Sequence, residues 1–148
     1  MVAQFHPKPS QALASQEKQH RRILVLEDDS EFQEILQECL ESNDYDVVAV
    51  PNGAEGVREI MAHDDFDVIV CDMMMPHLPG DMFYLAVERM RPHLCTRFIF
   101  ITGFNGNAKV SEFIERIDGT ILPKPFHVDD LLDLISFIHV RSEIALAN

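Results

Sequence analysis

Residues 68–80 read VIVCDMMMPHLPG, and the first five of them decide the fold. Val68, Ile69, Val70 and Cys71 form an apolar run with no polar alternation, which is what a strand buried on both faces requires. Asp72 ends that run with a carboxylate. Such strands belong to parallel sheets covered by helices. Pro76, Pro79 and Gly80 then mark a turn before a helix bearing Met82, Phe83, Leu85, Ala86 and Met90.

The same pattern repeats on either side. Upstream, Ile23–Leu26 is a second buried run, and Phe32, Ile35, Leu36, Cys39 and Leu40 follow along one face of a helix. Tyr45–Val50 reads as a strand, and Asn52 as the N-cap of a helix carrying Val57, Ile60 and Met61. Downstream, Phe98–Ile101 is another strand, with a loop through Gly103, Asn105 and Gly106 before a helix bearing Val110, Phe113, Ile114 and Ile117. Thr120–Leu122 makes a short fifth strand. A last helix, from Val128 to Ile144, carries Leu131, Leu132, Leu134, Ile135, Phe137 and Ile138, a stripe broader than sheet contact alone requires. Five βα units with buried strands predict an α/β fold in three layers, a parallel sheet between two layers of helices.

Length and charge narrow the function. The 148 residues suit one domain, and 47% hydrophobic content supplies its core. Acidic residues number 25 against 12 basic, a net charge of -13. Residues 1–22 hold Lys8, Lys18, Arg21 and Arg22 against Glu17 alone, so the acidity lies in the rest of the chain. A body this acidic repels phosphate backbones and anionic lipid, so direct nucleic-acid or membrane binding is not expected. Cationic partners are: Mg²⁺, or a basic docking patch. Pro7, Pro9 and a polar composition predict a flexible tail over residues 1–21, with Ser10–Arg22 also able to extend a helix.

Cys39, Cys71 and Cys95 form no C-x-x-C pair and lie in or beside apolar segments, as core thiols in a reducing compartment do. No run approaches the ~20 apolar residues of a bilayer span, and the N-terminus lacks a signal-peptide core, so a cytoplasmic location is expected. His6, His20, His63, His77, His93, His127 and His139 lack the i, i+4 spacing of a metal site and read as solvated surface. Met73, Met74 and Met75 read as core and loop packing, and Asp64-Asp65 as a solvated turn.

Sheets of this class bind ligands beyond the C-terminal ends of their strands. Glu27 and Asp28 follow the first strand, Asp72 the third, Thr102 the fourth and Lys124-Pro125 the fifth. Neighbouring strands lie ~5 Å apart, so these side chains can share a pocket. Three carboxylates together repel one another and raise at least one pKa unless a cation compensates. Their hard oxygens suit Mg²⁺, whose shell water and phosphate oxygens complete. Asp72 beside a metal, Lys124 and the Thr102 hydroxyl is a constellation for phosphoryl transfer: in-line attack by the carboxylate yields an acyl phosphate. Asp29 and Ser30 read equally well as plain helix capping. The Lys124–Pro125 peptide, in a tight turn that aims the lysine inward, is expected to be cis.

The runs ILVLEDD, VIVCDMMMPHLPG, FIFITG and LPKPF resemble those of the response-regulator receiver family, over residues 22–142. The resemblance implies a flavodoxin-like (βα)5 fold with strand order 2-1-3-4-5, and a receiver domain over residues 22–148. By position, Asp72 corresponds to the phosphoacceptor, Asp28 to the direct Mg²⁺ ligand, and Glu27 to the acid that holds the metal through water. The backbone carbonyl of Met74 matches the third protein ligand, and Thr102 and Lys124 match the switch hydroxyl and the phosphate-binding lysine. A sensor histidine kinase or phosphotransfer protein is the implied donor, with an output protein and a phosphorylation-linked homodimer as further associations. The only chemistry implied is the chain's own phosphorylation and dephosphorylation. One position departs: Ile121 stands where family members often carry Tyr or Phe, the aromatic that swings inward with the threonine. In the family, the residues two past the acceptor and two past the threonine flank the approach of hydrolytic water, and the matching positions here, Met74 and Phe104, are both apolar. Slow phosphate loss is therefore expected.

Other functions fit less well. An FMN module needs a phosphate-cradling first loop, where Glu27-Asp28-Asp29 would repel the phosphate. An aspartyl-nucleophile phosphatase wants an acid two residues after the nucleophile, where Met74 stands. A pseudo-receiver, never phosphorylated and acting as an interaction module, is the remaining alternative. A stand-alone regulator and a receiver segment of a hybrid histidine kinase are both compatible with the sequence.

Overall fold

The computed structural model describes residues 21–103 and 108–147. Most of the expected tail therefore lies outside the described residues, as do Phe104, Asn105 and Gly106. Strands β1 (Arg22–Leu26), β2 (Asp46–Val50), β3 (Val68–Asp72), β4 (Phe98–Thr102) and β5 (Thr120–Pro123) alternate with helices α1 (Ser30–Glu41), α2 (Gly53–Ala62), α3 (Gly80–Met90), α4 (Ala108–Ile117) and α5 (Val128–Ala147). The strands pair in parallel in the order β2-β1-β3-β4-β5, the flavodoxin-like order expected. The chain runs outward from β1 to β2, then crosses back to β3, so the strand order reverses between β1 and β3.

Alternation along the strands builds two cores. Ile23 and Val25 of β1, Val68 and Val70 of β3 and Ile99 and Ile101 of β4 meet Leu36 and Leu40 of α1 and Leu131, Ile135 and Ile138 of α5. Leu24, Leu26, Ile69, Cys71, Phe98 and Phe100 point the other way, onto Ile60 of α2, Phe83, Tyr84 and Val87 of α3 and Phe113 of α4. Each fully buried aliphatic or aromatic side chain contributes ~1.5–3 kcal/mol, so the continuous apolar strands that lack a polar face are stable only in this covered position. Asp29 caps α1 by accepting from Glu31 N and Phe32 N, and Asn52 caps α2 by accepting from Glu55 N. Each such cap is worth ~1 kcal/mol.

Several expectations need correction. Ile35, Met61 and Met82 are at least half exposed, and Leu85 is also exposed, although each was read on a core-facing stripe. Helical period marks the centre of a buried face, while the neighbouring helix and the sheet decide how wide it is. His139, read as surface, is buried at 7% exposure, with its ring stacked on Tyr45 at 6.3 Å. Cys71 is buried, but Cys39 and Cys95 are only half-buried. Asp64 and Asp65 lie in an exposed turn as expected, and there Asp65 also binds the Arg22 guanidinium at 2.8 Å. A 3-10 helix, Pro92–Arg97, with buried Leu94, stands between α3 and β4 where no element was expected. Among the described residues no helix is long and apolar enough to cross a membrane.

Candidate functional site

Strand pairing brings the acids together. Leu26 pairs with Cys71 and Ile101 with Asp72, so Glu27 leaves β1 beside the end of β3. Carboxylate oxygens of Glu27, Asp28 and Asp72 all lie within 4.8 Å of one another. Glu27 and Asp72 are buried, at 1% and 4% exposure, while Asp28 faces solvent. Lys124 comes from the far edge of the sheet, and its Nζ stands 3.6 Å from Asp72 Oδ2 and 3.8 Å from Glu27 Oε2.

The backbone sets these side chains in place. Glu27 N donates to Val50 O at 3.1 Å, and Gln33 Nε2 donates to Glu27 O at 3.0 Å. Asp29 N donates to Glu27 Oε1 at 3.2 Å, which orients that carboxylate from the α1 cap. Met74 N donates to Asp72 Oδ1 at 2.9 Å, leaving Oδ2 toward Lys124. Lys124 N donates to Thr102 O at 2.8 Å, tying the end of β5 to the end of β4, and the Lys124–Pro125 peptide is cis. Thr102 is the last residue of β4, one beyond the residue that pairs with Asp72.

Electrostatics show the strain of this grouping. Burial, reinforced by the Asp72 carboxylate, pushes Glu27 up to about 7, against the opposing pull of Asp29 N and the Lys124 ammonium. Glu27 Oε2 is buried without a hydrogen-bond partner. Three carboxylates close together, one of whose buried oxygens has the Lys124 ammonium at 3.8 Å but no hydrogen bond, are what a small hard cation relieves, and an all-oxygen donor set fits Mg²⁺ rather than a soft metal. The residues present thus fit the expected ion.

Two features go beyond what the sequence pattern indicates. Phe32 stands in the sequence as part of a helix face and Phe126 as the end of the LPKPF run, yet their rings meet 5.8 Å apart beside the pocket. Lys124 Nζ lies 4.9 Å from the Phe32 ring centroid. Asp29, Phe32, Lys124, Pro125 and Phe126 line a cleft of about 430 Å³. No local pattern announces a contact between side chains from opposite ends of the chain.

Comparison with known proteins places this geometry. Residues 23–136 match the family described as response regulator receiver domain. The response regulator receiver protein CpdR of Brucella abortus is 32% identical over 115 residues, which cover 78% of this chain and 93% of CpdR. Response regulator MprA of Mycolicibacterium vanbaalenii is 34% identical over 114 residues, 75% of this chain but only 47% of MprA, so the chain spans about half of that longer relative. The crystal structure of a CheY-like receiver domain protein from Methanospirillum hungatei superposes with a TM-score of 0.78 at 24% identity, over 85% of this chain and 98% of that one. With the family matched over most of its length, this chain belongs to the response regulator receiver domains of two-component signalling.

Proposed function

We propose that Asp72 accepts a phosphoryl group from a phosphohistidine of a sensor histidine kinase or phosphotransfer protein, and that the acyl phosphate switches association with an output partner. The observation that carries this reading is the Lys124 ammonium 3.6 Å from Asp72 Oδ2, inside a cluster of three carboxylates. An Asp72 oxygen forms the O–P bond as the donor's N–P bond breaks, and the N–P electron pair leaves with the ring nitrogen. Glu27, Asp28, Asp72 and the main-chain carbonyl of Met74 would hold Mg²⁺, whose charge offsets that of the phosphoryl oxygens. Lys124 supplies a second positive charge, and Thr102, at the end of the neighbouring strand, is suited to bond one phosphoryl oxygen. The chain then catalyses only its own phosphorylation and dephosphorylation, in the cytoplasm where its kinase would present the donor.

The output surface is read as α5 with β5 and α4. Ile121 is 44% exposed on β5, and Phe137, Val140 and Ile144 are exposed at helical spacing along α5. A phosphorylation-linked homodimer is one association such a face serves.

The test is incorporation of label from acetyl phosphate with Mg²⁺. Wild type should take it up, and Asp72→Asn should not. Excess chelator should prevent loading, and Asp28→Asn should weaken Mg²⁺ binding more than Glu27→Gln. Label in Asp72→Asn at the wild-type level would overturn the acceptor assignment. No label in wild type would favour the pseudo-receiver reading.

A further inference from the structure

Met73, Met74 and Met75 directly follow Asp72, and the fold sorts them. Met73 and Met75 are 2% and 5% exposed and pack into the core that holds Phe83, Phe98 and Phe100. Met74 between them is half exposed. Its amide donates to Asp72 Oδ1 at 2.9 Å, so its side chain leaves the backbone beside the carboxylate read as the acceptor. Solvent reaches this side chain and not its two neighbours, and so does a small oxidant dissolved in it. A thioether sulfur is a weak hydrogen-bond acceptor, whereas its sulfoxide is polar, and the change adds one oxygen atom and no net charge. Oxidation therefore puts a group able to hold water next to Asp72, where the thioether cannot hold it.

We propose that Met74 is a modification site for hydrogen peroxide, and that its sulfoxide shortens the lifetime of the phosphorylated chain. This rests on the reading of Asp72 as the acceptor. A sulfur lone pair attacks one peroxide oxygen, and the O–O bond breaks as the S–O bond forms. The proton on the transferred oxygen passes to the departing hydroxide, which leaves as water. Sulfur is oxidised by two electrons and the peroxide is reduced. The sulfoxide oxygen then accepts from a water O–H, and a water held beside the acyl phosphate attacks phosphorus more readily than a free one. Methionine sulfoxide reductases return the sulfoxide to the thioether, so the change is reversible. Met61 at the end of α2 and Met82 in the first turn of α3 are exposed as well, and they are the reference for plain surface oxidation.

The experiment treats the full chain with hydrogen peroxide, removes the peroxide with catalase, and loads the protein from labelled acetyl phosphate in Mg²⁺. Loss of label is followed after the donor is removed, and peptide mass mapping gives the oxygen added at each methionine. Met74 should gain oxygen before Met73 or Met75 does. The functional readout is the decay rate of treated protein over that of the same protein untreated. The ratio should be about tenfold in wild type and in a Met61→Leu, Met82→Leu double variant. In Met74→Leu it should be unity, and a methionine sulfoxide reductase with a thiol should bring treated wild type back to unity. Met74 left unoxidised under conditions that oxidise Met61 would overturn the modification site. A ratio of unity in wild type oxidised at Met74, or a ratio in Met74→Leu equal to that of wild type, would overturn the effect on lifetime and the proposal with it. Untreated wild type that takes up no label would overturn the acceptor reading itself, and this inference with it.

Discussion

A Cβ placed on Gly80 would lie 2.9 Å from the main-chain carbonyl oxygen of Asp72 and 2.9 Å from Met73 Cα. Both are backbone atoms at the strand end that carries the acceptor, so neither can rotate aside. Gly80 N also donates to Met73 O at 3.2 Å, which keeps the start of α3 against that strand end. Gly80→Ala should therefore displace the β3–α3 connection. We expect a loss of ~1–3 kcal/mol in stability, as at other overpacked positions, together with slower phosphate uptake. Chemical denaturation and label incorporation measure the two effects. Wild-type values in both would show that the connection yields freely.

Glu27 should make stability depend on pH in an unusual direction for a carboxylate. Its folded pKa of about 7 stands above the ordinary 4.5, so the folded state keeps a proton that the unfolded chain releases. The contribution is whole below about pH 4.5 and is lost as pH rises through about 7, and it amounts to something on the order of 3 kcal/mol. Without divalent ions, Glu27→Gln should melt several degrees above wild type at about pH 8 and close to it at about pH 4.5. Adding Mg²⁺ should narrow the gap at the higher pH. Thermal melts at the two pH values check this, and a gap that did not change with pH would refute it.

His139 acts in the opposite sense over an overlapping range. Burial, helped by the Arg21 guanidinium, lowers its pKa below the usual 6.5, and its Nε2 is buried without a partner. The unfolded chain then binds a proton that the folded chain refuses, so stability falls as pH drops below about 6.5. His139→Phe keeps a ring for Tyr45 to stack on and removes the titration. The variant should flatten the acid side of the stability profile. Comparing each variant with wild type separates the two slopes, and an acid limb unaltered in His139→Phe would rule out this residue as its source.

Met74 is 56% exposed beside the acceptor, with its amide bound to Asp72 Oδ1. Its thioether cannot orient an attacking water as an amide side chain can. Met74→Asn should therefore shorten the lifetime of the phosphorylated form, by about tenfold if positioning is worth ~1.4 kcal/mol. Loss of label after removal of the donor is the measurement. Equal decay in the two proteins would show that this side chain does not set the lifetime.

How much of this was legible before the fold was known depends on the range of the physics involved. Val68–Cys71 and Ile23–Leu26 announce buried strands because every residue in them must leave water, and Glu27, Asp28 and Asp72 stand out because a carboxylate ends each run. Those are local facts, and the sequence by itself determined the α/β class, the strands, most helix faces and the acidic residues of the site. The strand order came from family resemblance, since periodicity does not say which strands are neighbours. Only the tertiary structure decided what meets across the sheet. It set Phe32 under Lys124, closed Gly80 onto the Asp72 carbonyl, buried His139 against Tyr45 and left Ile35 in water. Those outcomes depend on how elements far apart in the chain pack together, and no short stretch of sequence encodes the distance between two of them.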